Sequence, residues 1–390
     1  MKQYIFILGQ NIELSKQEII TVIKNKKGII NNISNFFIIA NISIKPEKLI
    51  NILGGTIKIL EYKDNINNLS KLKINNYIKN NLNKDIKNNF GFSIYNGNDK
   101  EYNIIFKKFL KLKKELKKNK YKIRLVTSKE KILSSVIISK NNLLNKELVI
   151  IKNNNNYIIG KTVAVQDFMK YGHRDINKPK KDIKSGMLPP KLAQIMINLT
   201  GLNNDKKILD PFCGSGTILQ EAMLLGFKNI YGSDKDKRAI ANSKENINWL
   251  KKEYKLSNSI NIKQINVKNL NKYFDKKSID IIVTEPFMGD ARLIQKNNNI
   301  KTLKNITNEL QILYMEAFKE FKKILSPNGK IVFLFPIIHN IYTFNKNVSN
   351  NINFKLIKPD IKSNKLSKNG NIIYSRINQK VKREITIWEN

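Results

Sequence analysis

Asp210-Pro211-Phe212-Cys213-Gly214-Ser215-Gly216-Thr217 follows the apolar run Ile208-Leu209 and precedes a helix-like segment, Ile218 to Leu225. A strand that ends in a carboxylate and turns on Gly-x-Gly into a helix is how an α/β sheet holds an adenosine-containing cofactor. The glycines let the backbone approach a ligand closely, because a Cβ there would collide with it. Two similar patterns are excluded by spacing. The dinucleotide fingerprint needs a third glycine where Leu219 stands, and the phosphate-cradling P-loop needs a Gly-Lys-Ser/Thr that does not follow. An ordinary glycine turn after a buried strand is the plain alternative.

Three further strand-like runs supply the rest of a site. Asn229 to Asp234 ends in an acid about 20 residues beyond the turn, where a carboxylate can accept ribose hydroxyls. Asp234, with Lys235 beside it, is the expected residue; Asp236 can instead cap the next helix. Ile260 to Val267 is a third run, and Ile279 to Val283 a fourth that leads into Thr284-Glu285-Pro286-Phe287-Met288-Gly289.

The turn D-P-F-x-G-S-G-T resembles the first motif of S-adenosylmethionine (SAM) methyltransferases. The resemblance implies that Asp210, Pro211, Phe212, Gly214, Ser215, Gly216 and Thr217 hold the methionine end of the cofactor, and that Asn266 and Val267 meet the adenine. Thr284-Glu285-Pro286-Phe287 is similar to the (Asp/Asn)-Pro-Pro-(Tyr/Phe) motif of amino-group methyltransferases. Pro286 and Phe287 match; Thr284 stands where Asp or Asn is usual, and Glu285 replaces the first proline. Methylating a base amine requires its nitrogen lone pair to leave conjugation, which hydrogen-bond acceptors favour, while an aromatic face holds the extruded base. Phe287 can stack, and the carbonyls of 284–286 can accept. Glu285 can orient the amine or take its proton. Alternatively, Glu285 pairs with a nearby Lys and only Phe287 touches substrate.

The net charge of +40 is large enough to attract polyanions and repel cations. Only six of the 71 basic residues are Arg, in a chain saturated with Ile, Lys and Asn, so part of the charge is compositional. Nucleic acid is the natural partner, bound with steep salt dependence. A single cysteine, Cys213, excludes internal disulfides and Cys-cluster zinc sites, and its place in the turn reads as a small filler. His173 and His339 are too few and too separated for a metal centre, so no metal is expected. The longest apolar runs, such as Ile331 to Phe335, fall short of the ~20 residues of a membrane helix. The start of the chain has too short an apolar core for a secretion signal. A cytoplasmic enzyme is the expectation.

In the first half, Tyr4 to Leu8, Phe36 to Ala40 and Thr56 to Tyr62 read as strands. Ser15-x-x-Glu18 reads as a capping box opening a helix, and another helix starts near Pro46. This pattern predicts a ferredoxin-like α+β unit. Residues 68–165 add helices over 69–82, 104–118 and 129–139 and strands over 90–95, 121–126, 147–152 and 157–165. Lys107, Lys111 and Lys114 line the Lys-rich helix, whose plain alternative is a solvated amphipathic face. The arrangement resembles a THUMP domain, an RNA-binding module of tRNA-modifying enzymes. A Pro- and Gly-marked linker follows, with Arg174, Lys178-Pro179 and Gly186-Met187-Leu188-Pro189-Pro190.

The opening Tyr-x-Phe-x-Leu-Gly with Glu-Leu-Ser, this linker and the D-P-F-C-G-S-G-T turn, in that order, are similar to the tRNA guanosine-10 N2-methyltransferase family. The implied fold is α/β: a ferredoxin-like unit (1–66), a THUMP domain (67–166), a linker (167–190) and a Rossmann-like class I methyltransferase domain (191–390). The implied activity is SAM-dependent methylation of the exocyclic N2 of a tRNA guanosine. Arg174 is a candidate phosphate ligand or a salt-bridging residue, and Leu188 and Pro189 are candidates for the cofactor side of the pocket. A ribosomal RNA or DNA amino-methyltransferase and a noncatalytic tRNA-binding protein stay open, as does a small activating subunit. The final segment is expected as helix, strand and a hairpin (371–378 and 382–389) completing the sheet, with Trp388 in the core.

Overall fold

The computed structural model describes residues 1–181, 187–296, 299–376 and 379–390, without the side chains of 295 and 296. Gly186 of the expected linker and the end of the expected 371–378 strand lie outside the described residues. The chain divides into two compact units, Met1–Ile12 with Lys26–Phe168, and Glu13–Asn25 with Met169–Asn390.

In the first unit the strands are β1 (Lys2–Leu8), β2 (Ile29–Ile33), β3 (Phe37–Ile42), β4 (Thr56–Ile66), β5 (Asn88–Tyr95), β6 (Ile123–Val126), β7 (Glu147–Asn153) and β8 (Asn156–Val165). They form one sheet in the order β2-β3-β1-β4-β8-β7-β5-β6 among the described residues. The first four, all antiparallel neighbours, have the ferredoxin-like arrangement. The boundary expected at 66/67 falls at the end of β4, yet β4 pairs along its length with β8, so both expected domains share a sheet.

Three helices differ from expectation. The first runs Ile12–Asn25, with Ser15 and Glu18 buried inside it, so they are core-facing residues and no cap. The expected 69–82 helix is broken into Leu69–Lys71, Asn75–Ile78 and Lys79–Asn81, in keeping with the poor helix propensity of its asparagines. The Lys-rich helix, Asp99–Lys118, starts five residues earlier than expected because Asn98 and Glu101 form a capping box. Its Ile105, Phe109, Leu112 and Leu116 are buried at helical spacing. Lys107, Lys111 and Lys114 share the exposed face.

The second unit contains β9 (Lys207–Asp210), β10 (Asn229–Asp234), β11 (Ile260–Gln264), β12 (Ile279–Thr284), β13 (Leu325–Ile338), β14 (Ile341–Tyr342), β15 (Lys355–Ile357), β16 (Ile372–Tyr374) and β17 (Val381–Glu389). The main order is β11-β10-β9-β12-β13-β17-β15, with β14 on β13 and β16 on β17. Strands β11 to β13 are parallel, and β17 runs antiparallel to β13 and β15. β12 and the 331–338 part of β13 are near-continuous apolar runs, as burial on both faces demands, whereas the edge strand β11 is largely exposed. Their chain order reverses at β9, and in such sheets ligands bind outside the carboxyl ends of strands at the reversal. Tyr314 and Phe318 of the helix Ile300–Ile324 pack against Phe333 and Phe335, and Phe318 also meets Trp388, which is buried as expected.

Candidate active site

β9 delivers Asp210 to the carboxyl edge of the sheet, where the chain turns through 211–216 into the helix Thr217–Leu224. Gly214 and Gly216 have φ of 50° and 85°, the left-handed region that favours glycine. A Cβ on Gly216 would come within 2.4 Å of Ser243 Oγ, whereas one on Gly214 would meet open space. Gly216 therefore keeps the turn packed, and Gly214 leaves room above it.

The turn, the ends of β10 and β12 and the hairpin strand β17 enclose a cleft of about 1140 Å³. Its walls include Leu188, Asp210, Pro211, Phe212, Gly214, Ser215 and Thr217. Asp234, Lys235, Asn266, Val267, Glu285, Pro286 and Phe287 complete the expected residues that it brings together. Pro189 instead caps the helix Pro190–Leu199. Gly216 packs behind the turn on Ser243.

Two carboxylates stand beside the glycine turn on the cleft wall. Asp210 is buried and accepts from the Phe212 N–H at 3.1 Å and from Thr284 Oγ1 at 2.7 Å. Burial pushes its carboxyl up to about 7 against the pull of these donors, and the charges of Asp234 and Glu285 add to the rise. Asp234 accepts from the Gly214 N–H at 3.1 Å and the Asp236 N–H at 3.0 Å, and burial raises its pKa as well. These contacts use one lone pair on each Asp234 oxygen and leave others for a ligand. Asn266 Oδ1 accepts from the Lys268 N–H at 3.1 Å. Cys213 is buried, and burial raises its thiol well above the ordinary value, as suits a filler and not a nucleophile.

Thr284 was expected among the catalytic residues. It is fully buried and its hydroxyl donates to Asp210, so its side chain holds that acid in place. Glu285 and Phe287 face the cleft. Phe287 is 50% exposed, and its carbonyl accepts from the buried Tyr314 hydroxyl at 2.6 Å, which pins the loop. Glu285 Oε1 accepts from Arg383 Nε at 2.5 Å; the partner is an arginine from β17, not the lysine weighed from sequence.

Arg174 takes the salt-bridging alternative. Its guanidinium grips Glu221 through Nε at 2.7 Å and Nη2 at 3.1 Å, lies 4.5 Å from the Tyr171 ring centroid, and is buried. Burial raises the Glu221 carboxyl pKa even against the pull of Arg174. Sequence reasoning missed Arg376 and Arg383 on the cleft wall. A signal was available: in a chain whose default cation is Lys, two of six arginines lie seven residues apart, at 376 and 383.

Comparisons with known proteins agree with this geometry. A family model described as "RMKL-like, methyltransferase domain" matches residues 178–355, and one described as "DNA methylase" matches 10–245. The crystal structure of TrmN from Thermus thermophilus superposes with a TM-score of 0.56 at 13% identity, covering 100% of this chain and 99% of that one. A predicted N6-adenine-specific DNA methylase from Listeria monocytogenes gives 0.51 at 14%, covering 98% and 95%. Fold and site define a Rossmann-like methyltransferase, and the second model, spanning more than half of the chain, places it in that methylase class.

Among curated proteins, the tRNA (guanine(10)-N2)-dimethyltransferase of Methanocaldococcus jannaschii is 28% identical over 186 residues, 47% of each chain. That of Methanothermobacter thermautotrophicus is 38% identical over 104 residues, 27% of this chain and 28% of the relative. A probable enzyme of the same name from Methanothermococcus thermolithotrophicus is 38% identical over 147 residues, 37% of this chain and 78% of the relative. The chain belongs to this tRNA (guanine(10)-N2)-dimethyltransferase family. Its matched stretches span under half the length of the first two relatives.

Among the described residues no group of acids, histidines and cysteine is arranged to hold a metal ion, and no helix is long and apolar enough to cross a membrane.

Proposed function

We propose that the protein transfers a methyl group from SAM to the exocyclic N2 of a guanosine in tRNA, at the position ten named for its relatives. The observation that carries this reading is a single cleft, lined both by the glycine turn with two acids and by the Glu285-Pro286-Phe287 loop. The residues fit the cofactor. Open space lies above Gly214, Asp234 faces the cleft, and the buried acid Asp210 suits a neighbouring cation.

When bound, SAM supplies an electrophilic methyl group on a sulfonium. Asp210, the glycine turn and Leu188 would hold its methionine end, Asp234 the ribose, and Asn266 and Val267 the adenine. The chain's own work is positioning, which makes a bimolecular encounter effectively unimolecular. Phe287, exposed on a loop pinned by Tyr314, stacks on an extruded base. Glu285 and nearby carbonyls accept hydrogen bonds from the amine and favour the pyramidal nitrogen that reacts.

The ferredoxin-like part and the strands that follow it would grip tRNA as a THUMP-containing module does, with Lys107, Lys111 and Lys114 facing phosphates. Incubating the purified protein with labelled SAM and either tRNA or duplex DNA, followed by nucleoside mass spectrometry, tests the reading. N2-methylated or N2,N2-dimethylated guanosine in tRNA is expected. Label on DNA adenine or cytosine, or none on tRNA, overturns it.

A further inference from the structure

The Glu285–Arg383 pair is built unlike an ordinary surface salt bridge. Its side chains are 14% and 12% exposed, so both are largely withdrawn from solvent, yet both line the cleft beside Phe287. Each partner uses one edge only. Glu285 Oε1 takes the Arg383 Nε–H, and among the described residues no hydrogen bond is made by Glu285 Oε2 or by the two terminal nitrogens of Arg383. A half-satisfied charge pair is costly to bury unless a ligand completes it. The Arg383 backbone lies in β17 opposite Pro336 of β13 and Tyr374 of β16. The guanidinium carbon sits 5.9 Å from the Tyr374 ring centroid. The fork is therefore mounted on paired strands and not on a free loop.

The remaining groups are an acceptor carboxylate oxygen and a guanidinium fork, side by side. Guanine's Watson–Crick edge presents the reverse set: N1–H and N2–H donors beside the O6 acceptor. Adenine presents an N1 acceptor to the same carboxylate, and cytosine an N3 acceptor, so each sets a lone pair against a negative charge. A protein reads an extruded base by hydrogen bonds to this edge.

We infer that Glu285 and Arg383 together are the guanine-specifying residues of the cleft, with Glu285 accepting from N1–H and N2–H and Arg383 donating to O6. This inference rests on the proposed tRNA guanosine methylation and adds how the base is chosen. The substitution of Glu for the first proline of the amino-methylase motif then has a purpose. It moves the carboxylate one residue along the loop, away from Thr284, which is committed to Asp210, to a place where β17 can pair with it.

The test compares tRNA transcripts carrying guanosine or 2-aminopurine riboside at the guanosine that the wild-type enzyme is first shown to methylate. 2-Aminopurine keeps the reacting amine and lacks both N1–H and O6. The wild-type protein should methylate the guanosine transcript about 100-fold faster in kcat/KM, the discrimination expected of a paired hydrogen-bond contact. Arg383→Gln and Glu285→Gln should lower that ratio at least tenfold, chiefly by slowing the guanosine reaction, with SAM affinity by calorimetry unchanged. Arg383→Lys and Glu285→Asp, which keep charge and fold, should give intermediate ratios. A merely structural pair would slow both transcripts equally and leave the ratio intact, and that result overturns the inference. Failure of the wild-type protein to methylate any tRNA guanosine would instead remove the reading on which it rests.

Discussion

Each unit holds an acid–base pair withdrawn from water, and the two are built to opposite specifications. In the first unit Lys58 and Glu147 are 1% and 0% exposed, joined at 2.9 and 3.2 Å. Glu147 also accepts from the hydroxyls of Ser93, at 2.5 Å, and Thr162. Both of its oxygens are thus engaged from three strands, and nothing is left for a ligand. In the second unit Glu285 has one partner, and its remaining oxygen belongs to a cleft. Burial by itself does not mark a functional ion pair; incomplete satisfaction beside a cavity does. Arg174–Glu221 belongs with the saturated kind, the salt-bridging alternative weighed from sequence.

The largest test of this contrast is stability. Glu147→Ala strands the Lys58 ammonium in the core and should cost about 3–5 kcal/mol by chemical denaturation. Glu285→Gln should cost less, about 1 kcal/mol, because the amide oxygen still accepts from Arg383 and the guanidinium keeps an outlet to the cleft. Equal losses would erase the distinction. Arg174→Gln should cost about 3 kcal/mol by the same reasoning, with no change in the salt dependence of tRNA binding. A flatter salt slope at unchanged stability would restore its phosphate role.

Phe287→Ala sharpens the functional side. Losing a base-stacking face should weaken transition-state binding by about 1–3 kcal/mol, roughly 5- to 150-fold in kcat/KM. SAM affinity should be retained in calorimetry; full activity would leave the loop without a base platform.

Asp210 gives a pH signature. Its folded pKa, raised to about 7 from 3.8, means that the folded state prefers the neutral acid. Its stabilising contribution is full below the unfolded value and is lost as pH rises through about 7. Asp210→Asn should therefore gain stability relative to wild type as pH rises from 5 to 8 in ligand-free melts, and a constant offset would contradict the burial argument. A bound cation favours the carboxylate, so SAM affinity should climb over the same range.

The smallest effect belongs to Lys107, Lys111 and Lys114. Changing all three to Gln should leave thermal unfolding unaltered and reduce the slope of log affinity for tRNA against log salt by roughly 2–3 units. An unchanged slope would return this face to plain solvation.

What could be read beforehand follows the range of the interactions. The turn at 210–217 and the loop at 284–287 are local patterns, and the strand spacing between them matched the parallel sheet. The capping box at Ser15 was misread because that motif is also compatible with a helix interior, and only burial tells them apart. The pairing of β4 with β8 leaves no trace in composition. Arg383 lies 98 residues from Glu285 in the chain, and only the insertion of β17 beside β13 brings them together. Thr284 looked catalytic by position within its motif; the backbone direction at the end of β12 gives its hydroxyl to Asp210 instead.

β17 has neighbours on both sides, β13 along one edge and β15 and β16 along the other. The backbone that carries the Arg383 guanidinium is thus held from both sides. On the proposed reading, selection would happen by docking against a template whose anchor stays put, and a nucleoside offering the wrong edge would be turned away before any closure around it.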